Sequence, residues 1–202
     1  DKSTLSQQTL MELLIDKIDN KEEICGDKDH PTDVSQWVRP CWGLKFNEEN
    51  DIVHMSFYSC QIHGSIQLEW VPSTVRYIGF SYNYLSGTVN LEELPDSLQD
   101  MFLNFNGFEG AVCLTHLPPR MKRLDLQANS FAGSVDLTRL PKTLEELYLN
   151  TNGFEGDTDF SQLPISLVRL FLEDTQLSGK IRKSAYPRLH AFVVNSNVVS
   201  EC

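Results

Sequence analysis

Residues 94–110 read LPDSLQDMFLNFNGFEG, and the same apolar letters return in LPPRMKRLDLQANSFAG (117–133) and LPKTLEELYLNTNGFEG (140–156). The three copies start at positions 94, 117 and 140, which are 23 residues apart. Internal repeats of roughly 20 to 50 residues are typical of solenoids, in which each copy buries its apolar face against its neighbours. The stretch therefore predicts a coil of stacked units.

Glycines and prolines carry the same period along most of the chain. The glycines are Gly64, Gly87, Gly110, Gly133, Gly156 and Gly179, and the prolines are Pro72, Pro95, Pro118, Pro141, Pro164 and Pro187. We predict one structural domain with three parts: an N-terminal helical cap (1–51), six 23-residue repeats (52–189), and a partial seventh repeat with the C-terminal end (190–202).

Each repeat starts with a period-two alternation, as in Leu124, Asp125 and Leu126. This period places alternate side chains on opposite faces of a short strand, so that stacked copies form a parallel sheet. The asparagines that follow the strand should form a ladder of buried amides that bond the turn backbone. They are Asn83, Asn106, Asn129 and Asn152.

A second alternation follows the glycine of each repeat, in GTVNL (87–91), GAVCL (110–114) and GSVDL (133–137). It predicts a shorter second strand on the convex side, around Val89, Val112 and Val135.

The complete unit, LxxLxLxxNxFxGxVxLxxLPxS, resembles a leucine-rich repeat, most clearly in LDLQANSFAGSV (124–135) and LYLNTNGFEG (147–156). The resemblance implies an α/β repeat solenoid. In this fold a right-handed coil carries a concave parallel β-sheet, short convex second strands and a helical N-terminal cap.

The first 51 residues fit the capping role, because the ends of a repeat stack must shield its core from water. LSQQTLMELLIDKID (5–19) has apolar residues at helical spacing behind a candidate N-cap at Ser3 or Thr4. The apolar residues are Leu10, Leu13, Leu14 and Ile18.

The segment after this helix resembles the N-terminal cap of plant-type extracellular leucine-rich repeat proteins. The matching residues are Trp37, Cys41, Trp42 and Gly43. Phe46 departs from the pattern, since it stands where that cap often has its second closely spaced cysteine. The usual pairing therefore does not carry over, and we expect Cys25 to pair with Cys41 instead.

The cysteines bear on the compartment. A disulfide between Cys25 and Cys41 favours an extracellular or cell-surface location. Cys60 stands at the asparagine-ladder position of the first repeat and Cys113 at an outward position, and we expect both to be free. For Cys202 three alternatives stay open: a free thiol, a bond to another chain, or a bond to a cysteine outside the given sequence. The sequence starts at Asp1 rather than Met, so we expect any signal peptide to have been removed or to lie outside it.

The net charge of the chain indicates which classes of partner it can bind. Lys and Arg number 17 against 28 Asp and Glu, and the net charge of −11 repels phosphate backbones and anionic lipid surfaces. No apolar run approaches the roughly 18 to 20 residues that cross a bilayer. We therefore expect no nucleic acid, no membrane insertion, and a basic or neutral protein or peptide as partner.

Signatures of catalysis are missing from the pattern. The histidines form no motif typical of zinc sites, and GFEG at 107–110 and 153–156 lacks the lysine of a phosphate-binding loop. Adjacent acids such as Glu145 and Glu146 point to opposite sides of a strand. We expect no active site, no metal and no cofactor.

Outward positions of the concave sheet fall two, four, six and seven residues after the first apolar letter of each repeat. Aromatic and arginine side chains are frequent there, and these types dominate protein interfaces. The predicted binding residues are Tyr58, Tyr77, Tyr82, Phe102, Phe105, Arg123, Tyr148, Arg169 and Phe171. We expect Phe102, Tyr148 and Phe171 to share one column that Asp125 interrupts, and Glu146 to lie between the two arginines in another.

The leading hypothesis is a non-catalytic, receptor-like module that recognises a protein or peptide on its concave face. Proteins of the family that it resembles act as receptor ectodomains, adhesion proteins and inhibitors of secreted enzymes. An alternative is an assembly subunit that self-associates, or joins a larger complex, through its repeat ends, its convex side or Cys202. A third hypothesis is carbohydrate binding through Tyr77, Tyr82 and Phe105.

Overall fold

Two β-sheets extend along the repeats in this computed structural model, which describes residues 2–27, 29–37 and 43–201. In chain order the strands are β1 (Gly43–Phe46), β2 (Ile52–Ser56), β3 (His63–Gly64), β4 (Tyr77–Gly79), β5 (Tyr84–Gly87), β6 (Asp100–Phe102), β7 (Gly107–Gly110), β8 (Arg123–Asp125), β9 (Ser130–Gly133), β10 (Glu146–Tyr148), β11 (Gly153–Asp157), β12 (Arg169–Phe171), β13 (Gln176–Arg182), β14 (His190–Phe192) and β15 (Asn197–Glu201). Each repeat contributes one strand to each sheet, which confirms the solenoid predicted from the period.

The first sheet has eight strands in the order β1-β2-β4-β6-β8-β10-β12-β14. Strands β2 to β14 pair in parallel, and the register joins equivalent residues of neighbouring repeats, as in Leu124↔Leu147↔Leu170. These middle residues are fully buried. The period-two alternation thus places one residue of each strand in the core.

The second sheet has seven strands in the order β15-β13-β11-β9-β7-β5-β3. The predicted position of its strands was wrong: β5 ends at Gly87, and Val89 lies beyond it. The reason is the φ of +79° at Gly87, because a positive φ interrupts the extended backbone. Val89 and Leu91 are buried even so.

The ladder asparagines bond the backbone between the two sheets. Asn106 is representative: its Nδ2 lies 2.9 Å from the carbonyl of Phe80 and 3.0 Å from that of Leu103, and its Oδ1 accepts from the N–H of Leu85 at 3.1 Å. Asn83, Asn129 and Asn152 make equivalent bonds one repeat apart. The ladder satisfies backbone groups at the turn that would otherwise be unpaired.

One hydrophobic cluster runs through the repeats and into the N-terminal segment. Behind the ladder, Phe108, Phe131 and Phe154 are fully buried and lie at centroid separations of 6.2 Å and 6.1 Å. Fully burying a large apolar side chain contributes about 1.5 to 3 kcal/mol. Because every repeat adds residues to the same columns, the core grows with the length of the stack.

The N-terminal segment begins with helix α1 (Gln7–Ile15), followed by the short helix α2 (Glu22–Cys25). Ser6 is the N-cap, and its hydroxyl accepts from the N–H of Thr9 at 3.1 Å. The predicted caps Ser3 and Thr4 were wrong, because residues 2–4 form a separate 3-10 turn. In addition, β1 pairs antiparallel with β2 at the edge of the first sheet, which the repeat pattern does not predict.

Helix α1 is tied to the first repeat through side-chain amides. The Oε1 of Gln7 accepts from the N–H of Ile52 at 2.5 Å, and the Nε2 of Gln67 donates to the carbonyl of Leu13 at 2.7 Å. Gly64 lies so close to this segment that a Cβ there would be 2.3 Å from the carbonyl oxygen of Lys17. Only glycine fits this approach.

Cys60 and Cys113 are free thiols, and Cys25 forms no disulfide with a described residue. This confirms the expectation for Cys60 and Cys113. Cys41, Trp42 and Cys202 lie outside the described residues, so the pairing of Cys25 with Cys41 remains a prediction. In the part of the chain that the structure describes, no helix is both long and apolar enough to span a bilayer.

Candidate functional site on the first sheet

The open face is the side of the first sheet that points away from the hydrophobic core. It consists of the residues that lie two, four, six and seven positions after the first apolar residue of each repeat. In the fifth repeat these are Glu146, Tyr148, Asn150 and Thr151. Leu147 between the first two is fully buried, whereas Glu146 and Tyr148 are partly exposed. The predicted binding side chains all belong to this face, and none of them is buried.

Three aromatic ladders cross the open face, and the first lies on its N-terminal half. The rings of His54 and Tyr77 stack at 4.2 Å, and Tyr77 contacts Phe102 at 5.4 Å. The guanidinium of Arg123 continues the row, 5.3 Å from the centroid of Phe102. Gly79 provides the space for Tyr77, since a Cβ there would lie 3.1 Å from its ring.

The second ladder lies on the C-terminal half. Tyr148 stacks on Phe171 at 4.5 Å, and Phe171 stacks on Phe192 at 4.3 Å with an interplanar angle of 6°. The set of predicted binding residues omits Phe192. Its signal was weak because the seventh copy departs from the period: Phe192 pairs with Phe171, which lies 21 residues earlier rather than 23. Only the pairing of β12 with β14 shows that Phe192 continues the column.

The third ladder follows the strand ends of the first three repeats. Tyr82 lies 5.3 Å from Tyr58 and stacks on Phe105 at 4.3 Å. These rings are among the more exposed apolar side chains, at 53% for Tyr58, 46% for Tyr82 and 41% for Phe105. Tyr82 and Phe105 also have positive φ angles of 59° and 55°, a conformation with a steric cost for residues other than glycine.

Asp125 separates the first ladder from the second. It stands in register between Phe102 and Tyr148 at the outward position that the sequence predicts, but it is only 6% exposed. Loss of solvation raises its pKa to about 6, although the backbone N–H and side-chain amide of Gln127 both donate to the carboxylate. The open face therefore has a weakly acidic, dry centre.

Two ion pairs flank this centre. The Nε of Arg123 lies 2.6 Å from Asp100, and the Nη1 of Arg169 lies 2.5 Å from Glu146. The hydrogen bond to Asp100 and the negative charge of that carboxylate raise the pKa of Arg123. Glu146 also accepts a hydrogen bond from the hydroxyl of Tyr148 at 2.8 Å. Although Glu146 does lie between the two arginines in register, it pairs with Arg169, while Arg123 pairs with Asp100.

A separate group of side chains was missed by the sequence reasoning. Glu92, Cys113 and His116 come together in the segments that follow β5 and β7. The available signal was the spacing of Cys113 and His116, three residues apart, but Glu92 belongs to the preceding repeat and only stacking brings it near.

Solved structures share this architecture. The leucine-rich repeat ectodomain of the receptor kinase SOBIR1 from Arabidopsis thaliana matches 96% of the chain with a TM-score of 0.51 at 16% identity, over 95% of its own length. The chain has the leucine-rich repeat fold. A pollen receptor kinase 3 structure matches this solenoid over 97% of the chain and 100% of its own, with a TM-score of 0.68 at 20% identity.

Two complexes are also similar to the solenoid. The PEPR1–AtPEP1 structure matches 96% of it with a TM-score of 0.62 at 17% identity, although the solenoid spans only 34% of that chain. The BIR3–SERK2 complex from Arabidopsis thaliana matches 96% of the solenoid and 93% of its own chain, with a TM-score of 0.51 at 19% identity. No protein-family model and no curated protein matches the sequence.

Proposed function

We propose that the solenoid is a non-catalytic recognition module that holds an extended segment of a partner protein on its open face, which we expect to be concave. The observation that carries this proposal is the set of three aromatic ladders on a face with no covering element among the described residues. Aromatic anchors surrounded by polar groups are the side chains that contribute most to protein–protein binding.

Stacking between neighbouring strands accounts for the order of the rings but not for their exposure. Cross-strand aromatic pairs stabilise a sheet by roughly 0.2 to 1 kcal/mol each. Yet Tyr58, Tyr82, Phe105 and Phe192 each keep two fifths or more of their surface in contact with water. Apolar surface gains free energy only when it is covered, so this exposed ring area favours a partner.

The charge of the open face indicates the chemistry of that partner. The open face has more carboxylates than guanidinium groups. The arginines are Arg123 and Arg169, and the acidic residues are Asp100, Asp125, Glu146, Glu173 and Asp174. The two arginines already pair within the face. Within the described part of the chain, Glu173 and Asp174 have no ion-pair partner, and they lie next to the second ladder. A peptide with aromatic or aliphatic side chains and a nearby lysine or arginine complements this arrangement.

Proteins of the same fold support this assignment. PEPR1 with AtPEP1 and BIR3 with SERK2 are complexes, and the SOBIR1 structure is an ectodomain. By analogy, we propose that the solenoid works outside the cell or at its surface, where a Cys25–Cys41 disulfide would persist.

The test uses peptides selected from a displayed random library against the solenoid, with affinities measured by biolayer interferometry. The binding variant is Phe102→Ala/Tyr148→Ala/Phe171→Ala. The control variant is Tyr84→Ala/Ile165→Ala, which removes exposed apolar side chains (63% and 79%) outside the open face. We expect the binding variant to lose at least roughly 30-fold in affinity, since one interface anchor typically contributes about 2 kcal/mol or more, while the control binds as the parent does.

Equal binding of the selected peptides by both variants would contradict the proposal. Light scattering on the same proteins addresses the assembly alternative: self-association that the control variant weakens and the binding variant leaves intact would favour an assembly subunit.

A further inference from the structure

Glu92, Cys113 and His116 place three different donor atoms around one point, away from the open face. The Nδ1 of His116 lies 3.2 Å from a carboxylate oxygen of Glu92 and 3.7 Å from the Sγ of Cys113. All three donor atoms lie within 4.8 Å of one another. The hydroxyl of Thr115 adds a fourth polar atom, 3.1 Å from the same nitrogen and 3.2 Å from the sulfur.

Cys113 differs from the residues at the equivalent position of the neighbouring repeats. The equivalent residues of the neighbouring repeats are Asn90, Asp136 and Asp159, and each uses a side-chain oxygen to accept from the backbone N–H two residues later, at 2.7 to 2.9 Å. This bond supports the turn. A thiol is a poor substitute for that oxygen, because sulfur is a weak acceptor. The turn therefore gives no structural reason for the cysteine.

The three partners of His116 converge on one ring nitrogen. A catalytic dyad or triad uses both imidazole nitrogens, with the nucleophile on one and the orienting carboxylate on the other. In this cluster Glu92, Cys113 and Thr115 all face Nδ1, which can serve only one of them as donor or acceptor at a time. A cation among them would satisfy the nitrogen, the sulfur and the carboxylate together.

Two of the three donor separations match a tetrahedral zinc site, and the third, from the Glu92 carboxylate to the Cys113 sulfur, is within 4.8 Å. With Zn–N and Zn–O bonds near 2.0 to 2.1 Å and a Zn–S bond near 2.3 Å, tetrahedral angles place N and O about 3.3 Å apart and N and S about 3.6 Å apart. The observed separations are 3.2 Å and 3.7 Å. Calcium and magnesium prefer oxygen ligands, whereas a set of sulfur, imidazole and carboxylate suits zinc.

We propose that Glu92, Cys113 and His116 bind a zinc ion that links the second and third repeats. The thiol releases its proton to solvent when it coordinates, and the fourth position is taken by water or by the Thr115 hydroxyl. The site is independent of peptide binding on the open face, since it shares no residue with that face. A bound ion between two repeats should also stabilise the stack, because binding to the folded state alone raises the free energy of unfolding.

The test uses untagged, reduced protein titrated with Co²⁺ and then with Zn²⁺. Cobalt reports a thiolate ligand through its charge-transfer absorption, and zinc should displace it. The site variants are Cys113→Ser and His116→Ala. The matched control is Cys60→Ser, which removes another partly exposed free thiol whose pKa burial raises to about 11. Circular dichroism checks that every variant is folded.

We expect the parent and Cys60→Ser to show the thiolate absorption and a zinc-dependent rise in Tm. Both site variants should lose these signals and bind zinc more weakly by at least about tenfold, the smallest loss typical of disturbing a metal site. Parent absorption no stronger than that of Cys113→Ser would overturn the proposal. So would a zinc affinity that the two site variants leave unchanged.

Discussion

At the scale of single residues, Asp125 shows how a repeat column can hold an exception. The equivalent positions hold Phe102, Tyr148 and Phe171, whose ring surface stays partly exposed, whereas this carboxylate is buried and has a pKa of about 6. A carboxyl group with a raised pKa binds protons more tightly in the folded chain than in the unfolded one. Its ionised form therefore destabilises the fold.

The substitution Asp125→Asn should stabilise the protein near neutral pH. The contribution of Asp125 to the parent's stability falls as the pH rises from about 4 to about 6, because the native state holds the Asp125 proton over this range and the unfolded state does not. A shift of about two pKa units amounts to about 3 kcal/mol. We expect the variant to exceed the parent by about 1 to 3 kcal/mol near pH 7, and the difference to vanish near pH 4, in urea unfolding at a series of pH values.

Asp136→Asn is the matched control. Bonds from Thr138 lower the pKa of this exposed carboxyl, so its contribution to stability is present above its unfolded pKa and is lost as the pH falls. The stability difference between Asp136→Asn and the parent should therefore change with pH in the opposite direction to that of Asp125→Asn. If Asp125→Asn leaves the pH profile unchanged, the carboxylate is solvated and the account of the dry centre is wrong.

At the scale of elements, the asparagine ladder joins the two sheets in four consecutive coils. Cys60 and Thr175 occupy the positions before and after the four asparagines, and the Thr175 hydroxyl keeps one bond, 2.7 Å to the carbonyl of Leu172. The repeat pattern was sufficient to identify these positions. The hydrogen-bond partners come from two adjacent repeats, so that each amide stabilises the contact between coils as well as its own turn.

Asn106→Ala should lower the free energy of unfolding by about 1 to 3 kcal/mol. The change leaves the N–H of Leu85 without its amide partner, and an unsatisfied buried group costs about 1 to 3 kcal/mol. The carbonyls of Phe80 and Leu103 each lose one of two amide donors and keep the bond from Asn83 or Asn129. Chemical denaturation at constant pH measures the loss.

Asn90→Ala provides the comparison, because Asn90 is exposed and its side-chain oxygen accepts a local bond from the N–H of Glu92. This variant should lie within about 1 kcal/mol of the parent, as is usual for surface positions. Equal losses in the two variants would show that the ladder contributes no more than an exposed turn bond.

At the scale of the whole molecule, burial is uneven along the stack. The fourth repeat has a buried residue in every core column, whereas Val198 is the one buried residue between positions 182 and 201. In a solenoid each repeat contacts only its neighbours, so that local stability follows local burial.

Hydrogen exchange should therefore begin at the C-terminal end of the described chain. We expect amides of β14 and β15 to exchange well before those of β8 and β10, because opening the last coil exposes little apolar surface. Mass spectrometry of exchanged peptic fragments measures the order. Uniform protection along the stack would contradict nearest-neighbour stabilisation and indicate a single cooperative unit.

The sequence by itself determined the period, and with it the number of coils, the core columns, the ladder positions and the outward positions of the aromatic residues. A strict repeat can do this because side-chain direction within a short strand depends on local alternation, and stacking then copies that direction from one repeat to the next.

Only the tertiary structure decided the features that join residues distant in the chain. These are the pairing of β1 with β2, the amide bonds of Gln7, the burial of Asp125 and the meeting of Glu92 with Cys113 and His116. Their common physical reason is that neither desolvation nor convergence of donor atoms has a local periodicity. Both depend on what a neighbouring coil places within a few ångströms.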